Sequence, residues 1–241
     1  MAGGAYVALS GLRSRIEQLD RLASDLANVG TAGYKSERVT TVSAERPDFG
    51  AVLQSAIDVA PGPGRLDLRS GPLTTTGRDL DFAIEGRGFF VVDTPAGPRY
   101  TRNGQFTRST DGTLTTADGM PVQGASGAPL RLPAGALEVG TDGTLRAGGV
   151  VAGRLRVVDF DSHVGLAREE AGRFRAPASL TPRESDGHHV KSATLEQSNV
   201  SVVDRVAQLT EVTRGFEALQ RGLSILMNDV EGRAINEFGR R

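Results

Sequence analysis

The chain has 241 residues, a formal net charge of −1 and no cysteine. That length supports one or two domains with a sizeable core, while the near-neutral charge leaves no electrostatic footprint for nucleic acid or an anionic membrane. The missing thiols exclude disulfides, thiolate catalysis and cysteine-ligated zinc, and no stretch reaches the ~18 apolar residues of a membrane span.

The first turns carry no basic segment followed by an apolar run, so no cleaved signal peptide is expected. Residues 5–28 read as one helix. Leu9, Leu12, Ile16, Leu19, Ala23 and Leu26 step by 3 or 4, an a/d seam on one face. Arg13, Glu17, Arg21 and Asp25 are assigned to the opposite, solvated face. Asn28-Val-Gly-Thr-Ala-Gly33 ends the helix, because Asn and Gly tolerate the left-handed backbone of a C-cap. Residues 36–70 read as an extended connector, broken at Pro61-Gly-Pro-Gly64.

The 31 glycines, nearly twice the usual ~7%, concentrate between residues 60 and 190. They predict a turn-rich β middle. Leu80–Ile84 alternates, and Gly88-Phe-Phe-Val-Val92 reads as a buried strand. Asn103-Gly104 between Arg99–Arg102 and Gln105–Arg108 predicts a two-residue hairpin. Asp111-Gly112, Asp118-Gly119 and Gly148-Gly149 predict further turns, and Asp-Gly-Thr-Leu occurs twice, at 111–114 and 142–145. Pro121–Gln123 and Leu155–Phe160 read as strands, with Phe174 as an anchor. The spacing predicts a small antiparallel barrel or sandwich.

Beyond Ser198 the period changes. Val202, Val206, Leu209, Thr213, Phe216, Gln220, Leu223, Met227 and Val230 step by 4 and 3, and Val203, Val212, Leu219 and Leu226 widen the stripe. This predicts a long helix with Ser201 as N-cap and Asp204 at N3. Gly215 and Gly222 mark a face open to close approach. Two apolar seams at the chain ends around a β middle predict an α+β fold. In it a discontinuous, coiled-coil-like domain of N- and C-terminal helices has the β-rich module inserted. The expected boundaries are 1–35 and 196–241 for the helical halves, 36–70 for the connector and 71–195 for the β module. The C-terminal helix has more apolar surface than one partner helix covers, which implies other subunits.

No constellation for catalysis emerges. His163, His188 and His189 lack metal-ligand spacing; Gly86-Arg-Gly88 is followed by a strand where a dinucleotide site needs a helix; Asp79/Asp81 and Asp159/Asp161 read as carboxylates on one solvated face. Nucleophile-elbow and P-loop motifs are absent. The expectation is a non-enzyme without cofactor or metal.

Three stretches carry a resemblance. Leu9-Ser-Gly-Leu12 with Leu19 through Asn28-Val-Gly-Thr-Ala-Gly33-Tyr-Lys35 is similar to the N-terminal signature of the bacterial flagellar axial proteins, the rod, hook and hook-associated proteins. Thr76–Phe90 with Tyr100-Thr-Arg-Asn-Gly-Gln-Phe106 resembles their β module, and Leu195-Glu-Gln-Ser-Asn-Val200 their C-terminal signature. The likeness spans nearly the whole chain, and Tyr6-Val-Ala-Leu-Ser-Gly11 with the modest length leans towards a proximal over a distal rod type. Gly30 departs from the pattern, where the family commonly has a second Asn. The resemblance implies a structural subunit of the basal-body rod in the periplasm, exported by the flagellar type III apparatus. It would polymerise with itself and other rod subunits into a helical tube that transmits torque to the hook. The expected assembly interface is Leu9, Leu12, Ile16, Leu19, Ala23, Leu26, Asn28, Val202, Val206, Leu209, Phe216, Leu219, Leu223, Leu226 and Val230, with no nucleic-acid partner and no membrane insertion. Two other readings remain: a distal rod or hook-type axial protein, and a cell-wall carbohydrate-binding module on a helical stalk. The latter is poorly supplied, since the chain has no Trp and three Tyr.

Overall fold

The computed structural model describes residues 2–38, 65–185 and 187–238, with side chains for 11–37, 65–185, 187–222, 224 and 225. The expected Pro61–Gly64 breaker and most of the connector lie outside these residues. The chain divides into two compact units. Among the described residues, one holds 2–27, 37–38 and 201–238, and the other holds 28–36 and 65–200.

The first unit is built on two long helices, α1 (Ala2–Ala27) and α2 (Val202–Phe238). Ser201 caps α2 as expected: its Oγ accepts the Asp204 N–H at 3.4 Å, satisfying one of the helix's orphan donors. The helices pack antiparallel. Arg205 meets Asp25 at 2.9 Å, a methyl group added to Gly215 would touch Arg15 at 3.6 Å, and one added to Gly11 would touch Leu219 at 3.7 Å.

The buried face differs from the strict seam. Among the described side chains, Leu22 and Val212 are the buried apolar residues of the pair, while Ile16, Ala23, Thr213 and Gln220 are exposed. Asp25, assigned to the solvated face, is 2% exposed and ion-paired with Arg205. A 3.6-residue period drifts from a strict heptad by ~20° every seven residues. The stripe that meets its partner therefore runs through Arg205, Leu209, Val212, Phe216 and Leu219, avoiding polar Thr213 and Gln220.

The other unit is antiparallel β. Two short strands border the undescribed residues: β1 (Glu37–Arg38), which belongs to the helical unit, and β2 (Arg65–Leu66), which belongs to this one. The rest are β3 (Leu73–Thr75), β4 (Phe82–Glu85), β5 (Phe89–Thr94), β6 (Gly97–Thr101), β7 (Phe106–Arg108), β8 (Leu114–Thr116), β9 (Leu137–Val139), β10 (Thr144–Ala147) and β11 (Val150–Arg154). They continue with β12 (Val157–Asp159), β13 (Ala167–Arg168), β14 (Arg173–Arg175), β15 (Arg183–Glu184), β16 (His189–Ser192) and β17 (Thr194–Glu196). A six-stranded sheet has the order β13-β14-β6-β5-β12-β15, and a three-stranded sheet the order β11-β10-β9. The pairs β16–β4, β17–β3 and β7–β8 complete it.

Of the barrel or sandwich expected, a closed barrel is not formed: among the described residues β13 and β15 are the edge strands of the larger sheet. The sequence of β5 gives the reason. Phe89 and Val91 enter a core with Tyr100, Val158, Phe160, Leu166 and Phe174. Phe90 enters another, with Phe82, Ile84, Phe106, Leu114, Leu145 and Leu155. Successive side chains point to opposite faces, so a continuous Phe-Phe-Val-Val run records a strand buried on both faces. Val157 and Val158 of β12 divide in the same way.

The Asn103-Gly104 hairpin is also corrected. β6 pairs with β5 through a turn at Pro95-Ala96, and β7 pairs with β8. Asn103 Oδ1 instead accepts the Gln105 N–H at 3.0 Å, and the Gly104 carbonyl accepts the Phe82 N–H at 3.0 Å. A local Asx turn joins two strands that belong to different ladders. The repeated Asp-Gly-Thr-Leu, by contrast, folds alike twice. Asp111 and Asp142 each accept the backbone N–H of the following Thr at 3.1 Å and its hydroxyl at 2.9 and 2.7 Å. Each then delivers a fully buried Leu, Leu114 and Leu145. Gly148-Gly149 makes the expected two-residue turn between β10 and β11.

Candidate functional site

The end of the first signature stretch, Asn28–Lys35, meets the other two inside the β unit. Residues 28–36 lie on it as an arm, and each residue from Gly33 to Ser36 is held. The Gly33 N–H donates to the Glu196 carbonyl at 2.7 Å. Gly33 sits at φ +68 against the Arg102–Asn103 backbone, where a Cβ would come within 2.3 Å, so only glycine fits. The Tyr34 carbonyl accepts the Asn199 N–H at 3.3 Å, and the Ser36 N–H donates to Asn199 Oδ1 at 2.8 Å. Arg168 of β13 closes the other side: its guanidinium lies 4.4 Å from the Tyr34 ring centre, Nη1 donates to the Tyr34 hydroxyl at 2.7 Å, and Nη2 donates to the Lys35 carbonyl.

At the centre is a buried charge cluster. Lys35 Nζ donates to Glu196 Oε1 at 2.5 Å, and both side chains are fully buried. Arg102 Nη1 donates to Glu196 Oε2 at 3.1 Å. The Gly71 N–H gives Oε1 a further bond at 2.9 Å. Lys35 also donates to the Arg69 carbonyl at 2.8 Å, and Arg102 to the Ile84 and Gly86 carbonyls at 3.2 and 2.7 Å. Burial pushes the Lys35 ammonium below its ordinary value, and the charge and hydrogen bond of Glu196 oppose that shift without cancelling it. Burial likewise lowers Arg102 against the pull of Glu196. One carboxylate thus answers two desolvated cations.

The expected interface residues fall into three groups. Leu12, Leu19, Leu26, Leu209, Phe216 and Leu219 are half-buried along the helix pair, and Asn28 is half-buried beside Thr31, whose hydroxyl donates to its Oδ1 at 3.1 Å. Ile16, Ala23, Val202 and Val206 are exposed. The side chains of Leu9, Leu223, Leu226 and Val230 lie outside the described residues. Sequence reading missed Leu22, the Asp25–Arg205 pair and the whole Lys35–Glu196–Arg102 cluster. Two signals for the cluster were present: Lys35 is one of only two lysines in the chain, and Glu196 is the one charged residue of Leu195–Val200.

The carboxylate pairs do not share a solvated face. Asp81 is 1% exposed and accepts the Thr76 hydroxyl at 2.7 Å, whereas Asp79 is exposed. Asp159 lies 2.9 Å from His163 Nε2 and 3.8 Å from Arg87, and Asp161 pairs with Arg183 at 2.9 Å. His188 Nδ1 is 2.7 Å from the Ser185 carbonyl. Among the described residues no group of three or more His, Asp or Glu could hold a metal ion, and no helix is long and apolar enough to cross a membrane.

Comparison with known proteins gives the same direction as the three stretches. Residues 83–147 match the family described as the flagellar hook protein FlgE/F/G D1 domain. The flagellar basal-body rod protein FlgF of Rhizobium meliloti is 35% identical over 99% of each chain. FlgF of Caulobacter vibrioides is 31% identical over 92% of each, and the rod protein FlgG of Bacillus subtilis is 31% identical over 90% of this chain and 92% of its own. With such identity over almost the full length, and the signature stretches knit into one buried cluster, the chain belongs to the flagellar basal-body rod proteins and is of the FlgF type.

Proposed function

We propose that the chain is a non-enzymatic structural subunit of the flagellar rod. It polymerises through its terminal helices with copies of itself and with other rod subunits. The resulting tube is part of the periplasmic shaft that passes torque to the hook, and its subunits reach it through the flagellar type III export apparatus. The α1–α2 pair acts as a coiled-coil-like axial domain, with 36–70 as connector and 71–195 as the outward β module. A distal rod or hook-type role is the second reading, favoured only by the likeness to FlgG.

The observation that carries the proposal is the apolar surface left when α1 and α2 have paired. Ile16, Val202, Val203, Val206 and Ile225 remain 47–79% exposed. In the proposed tube these aliphatics are the surface that neighbouring subunits cover. Replacing Ile16 and Val206 by Asp is expected to abolish incorporation into isolated basal bodies, and with it motility, while the melting of the β unit stays unchanged. Motile cells carrying the double variant would refute the helix-mediated assembly.

A further inference from the structure

The two units are joined covalently at 27/28, 36/37, 64/65 and 200/201. All four joints enter the β unit through segments tied to the same few residues. Arm 28–36 supplies Gly33, Tyr34, Lys35 and Ser36. Segment 65–71 supplies the Asp67 N–H, which donates to the Ser36 carbonyl at 2.8 Å, the Arg69 carbonyl and the Gly71 N–H. Segment 194–200 supplies Glu196 and Asn199, and Asn199 Nδ2 donates to the Asp67 carbonyl at 2.7 Å. Glu196 and Asn199 each bond to both other segments.

Resting on the rod reading above, we propose that this clasp is the mechanical joint through which load carried by the chain enters the β unit. Lys35, Arg102, Glu196, Asn199 and Arg168 are its positioning residues. Three physical features fit that role. Load arriving along any of the four covalent joints reaches hydrogen bonds that share acceptors, so the segments resist together rather than one after another. The bonds at the centre are charge-assisted, the stronger kind, and they are closed off from water, which would otherwise compete for them as the segments separate. Arg168 grips Tyr34 and Lys35 from an edge strand of the six-stranded sheet, on a route independent of Glu196, so the arm is held from two sides. A cluster needed only for burial has no reason to collect every covalent crossing. Buried ion pairs are otherwise weak devices for stability, since apolar replacements often do as well.

The test is force spectroscopy on the purified full chain. The chain has no cysteine, so handles attach uniquely at Ala27→Cys, on the last residue of α1, and Val150→Cys, on the exposed tip of β11. The wild-type chain is expected to release the arm and unfold the β unit in one event. Glu196→Gln and, separately, Arg168→Met are expected to add an earlier release at lower force. Lys191→Gln, which breaks the exposed Lys191–Glu85 pair at 3.0 Å, is expected to leave the trace unchanged. If both clasp variants release at the wild-type force, or the Lys191 variant shifts as far as they do, the proposal is overturned. Because this readout needs no rod, it stands or falls separately from the assembly test. In cells, Arg168→Met is expected to swim normally in dilute medium and to slow more than wild type as viscosity rises; equal slowing would also overturn the joint.

Discussion

The two units place their apolar residues in opposite ways. In the β unit, β5 and β12 send successive side chains into two separate cores, and Phe82, Phe90, Phe106, Leu114 and Leu145 have no exposed surface. In the helical unit, one narrow stripe is half-buried and aliphatics on other faces are left in water, Val203 at 79% and Ile225 at 68%. A sheet covered on both faces has answered its own hydrophobic surface. A pair of helices has not, and its stability depends on what else covers it. The lesson is that burial within the chain separates the part that is complete alone from the part shaped for assembly.

Three measurements sharpen or break that contrast. The largest effect is expected from Phe90→Ala, which empties a site walled by Phe106, its ring centre 5.3 Å away. The β-unit transition should lose ~3–5 kcal/mol in denaturant unfolding, whereas Val203→Ala in the monomer should stay within ~0.5 kcal/mol. Equal losses would erase the distinction between the units. Next, Ser201→Ala removes the cap of α2 and should lower helical-unit stability by ~1 kcal/mol, read from far-UV circular dichroism melting with the β-unit transition unmoved. The smallest effect concerns acid.

The hydroxyl and N–H of Thr113 hold the Asp111 carboxyl below its ordinary 3.8, and Thr144 does the same for Asp142. A depressed carboxyl contributes stability that is fully present above its unfolded value and is lost as pH falls through the folded value. Both groups are exposed, so the acid-side fall in melting temperature below pH 3.8 should be shallow. Thr113→Val with Thr144→Val should make it shallower still, since the hydroxyl bonds are removed while the backbone bonds remain. An unchanged acid slope would separate these turns from acid stability.

What could be read from the sequence had a short range. The Asp-Gly-Thr-Leu turns close within two residues, the Ser201 cap within three, and the Gly148-Gly149 hairpin within four, so each carries its cause in its own letters. Asn103-Gly104 shows the limit. Its local chemistry was read correctly as a turn, but strand partners are chosen by the sheet, and β6 and β7 pair elsewhere. The helix seam failed more gently. Period and length were visible in Leu12, Leu19, Leu209 and Phe216, yet the choice between Val206 and Val212 as the buried neighbour depends on where the partner helix lies.

By itself, then, the sequence determined two amphipathic end helices, a β middle punctuated by Asp-Gly and Gly-Gly turns, and three stretches that resemble one family. Only the tertiary structure decided that the β sheet stays open with a core on each side, that Asp25 is buried, and that Lys35, Arg102 and Glu196 of those three stretches form one cluster. Lys35 and Glu196 are 161 residues apart along the chain. A charge in a β-forming run has no local partner to betray it; its purpose appears only when folding removes water from around it and brings the opposite charge within reach.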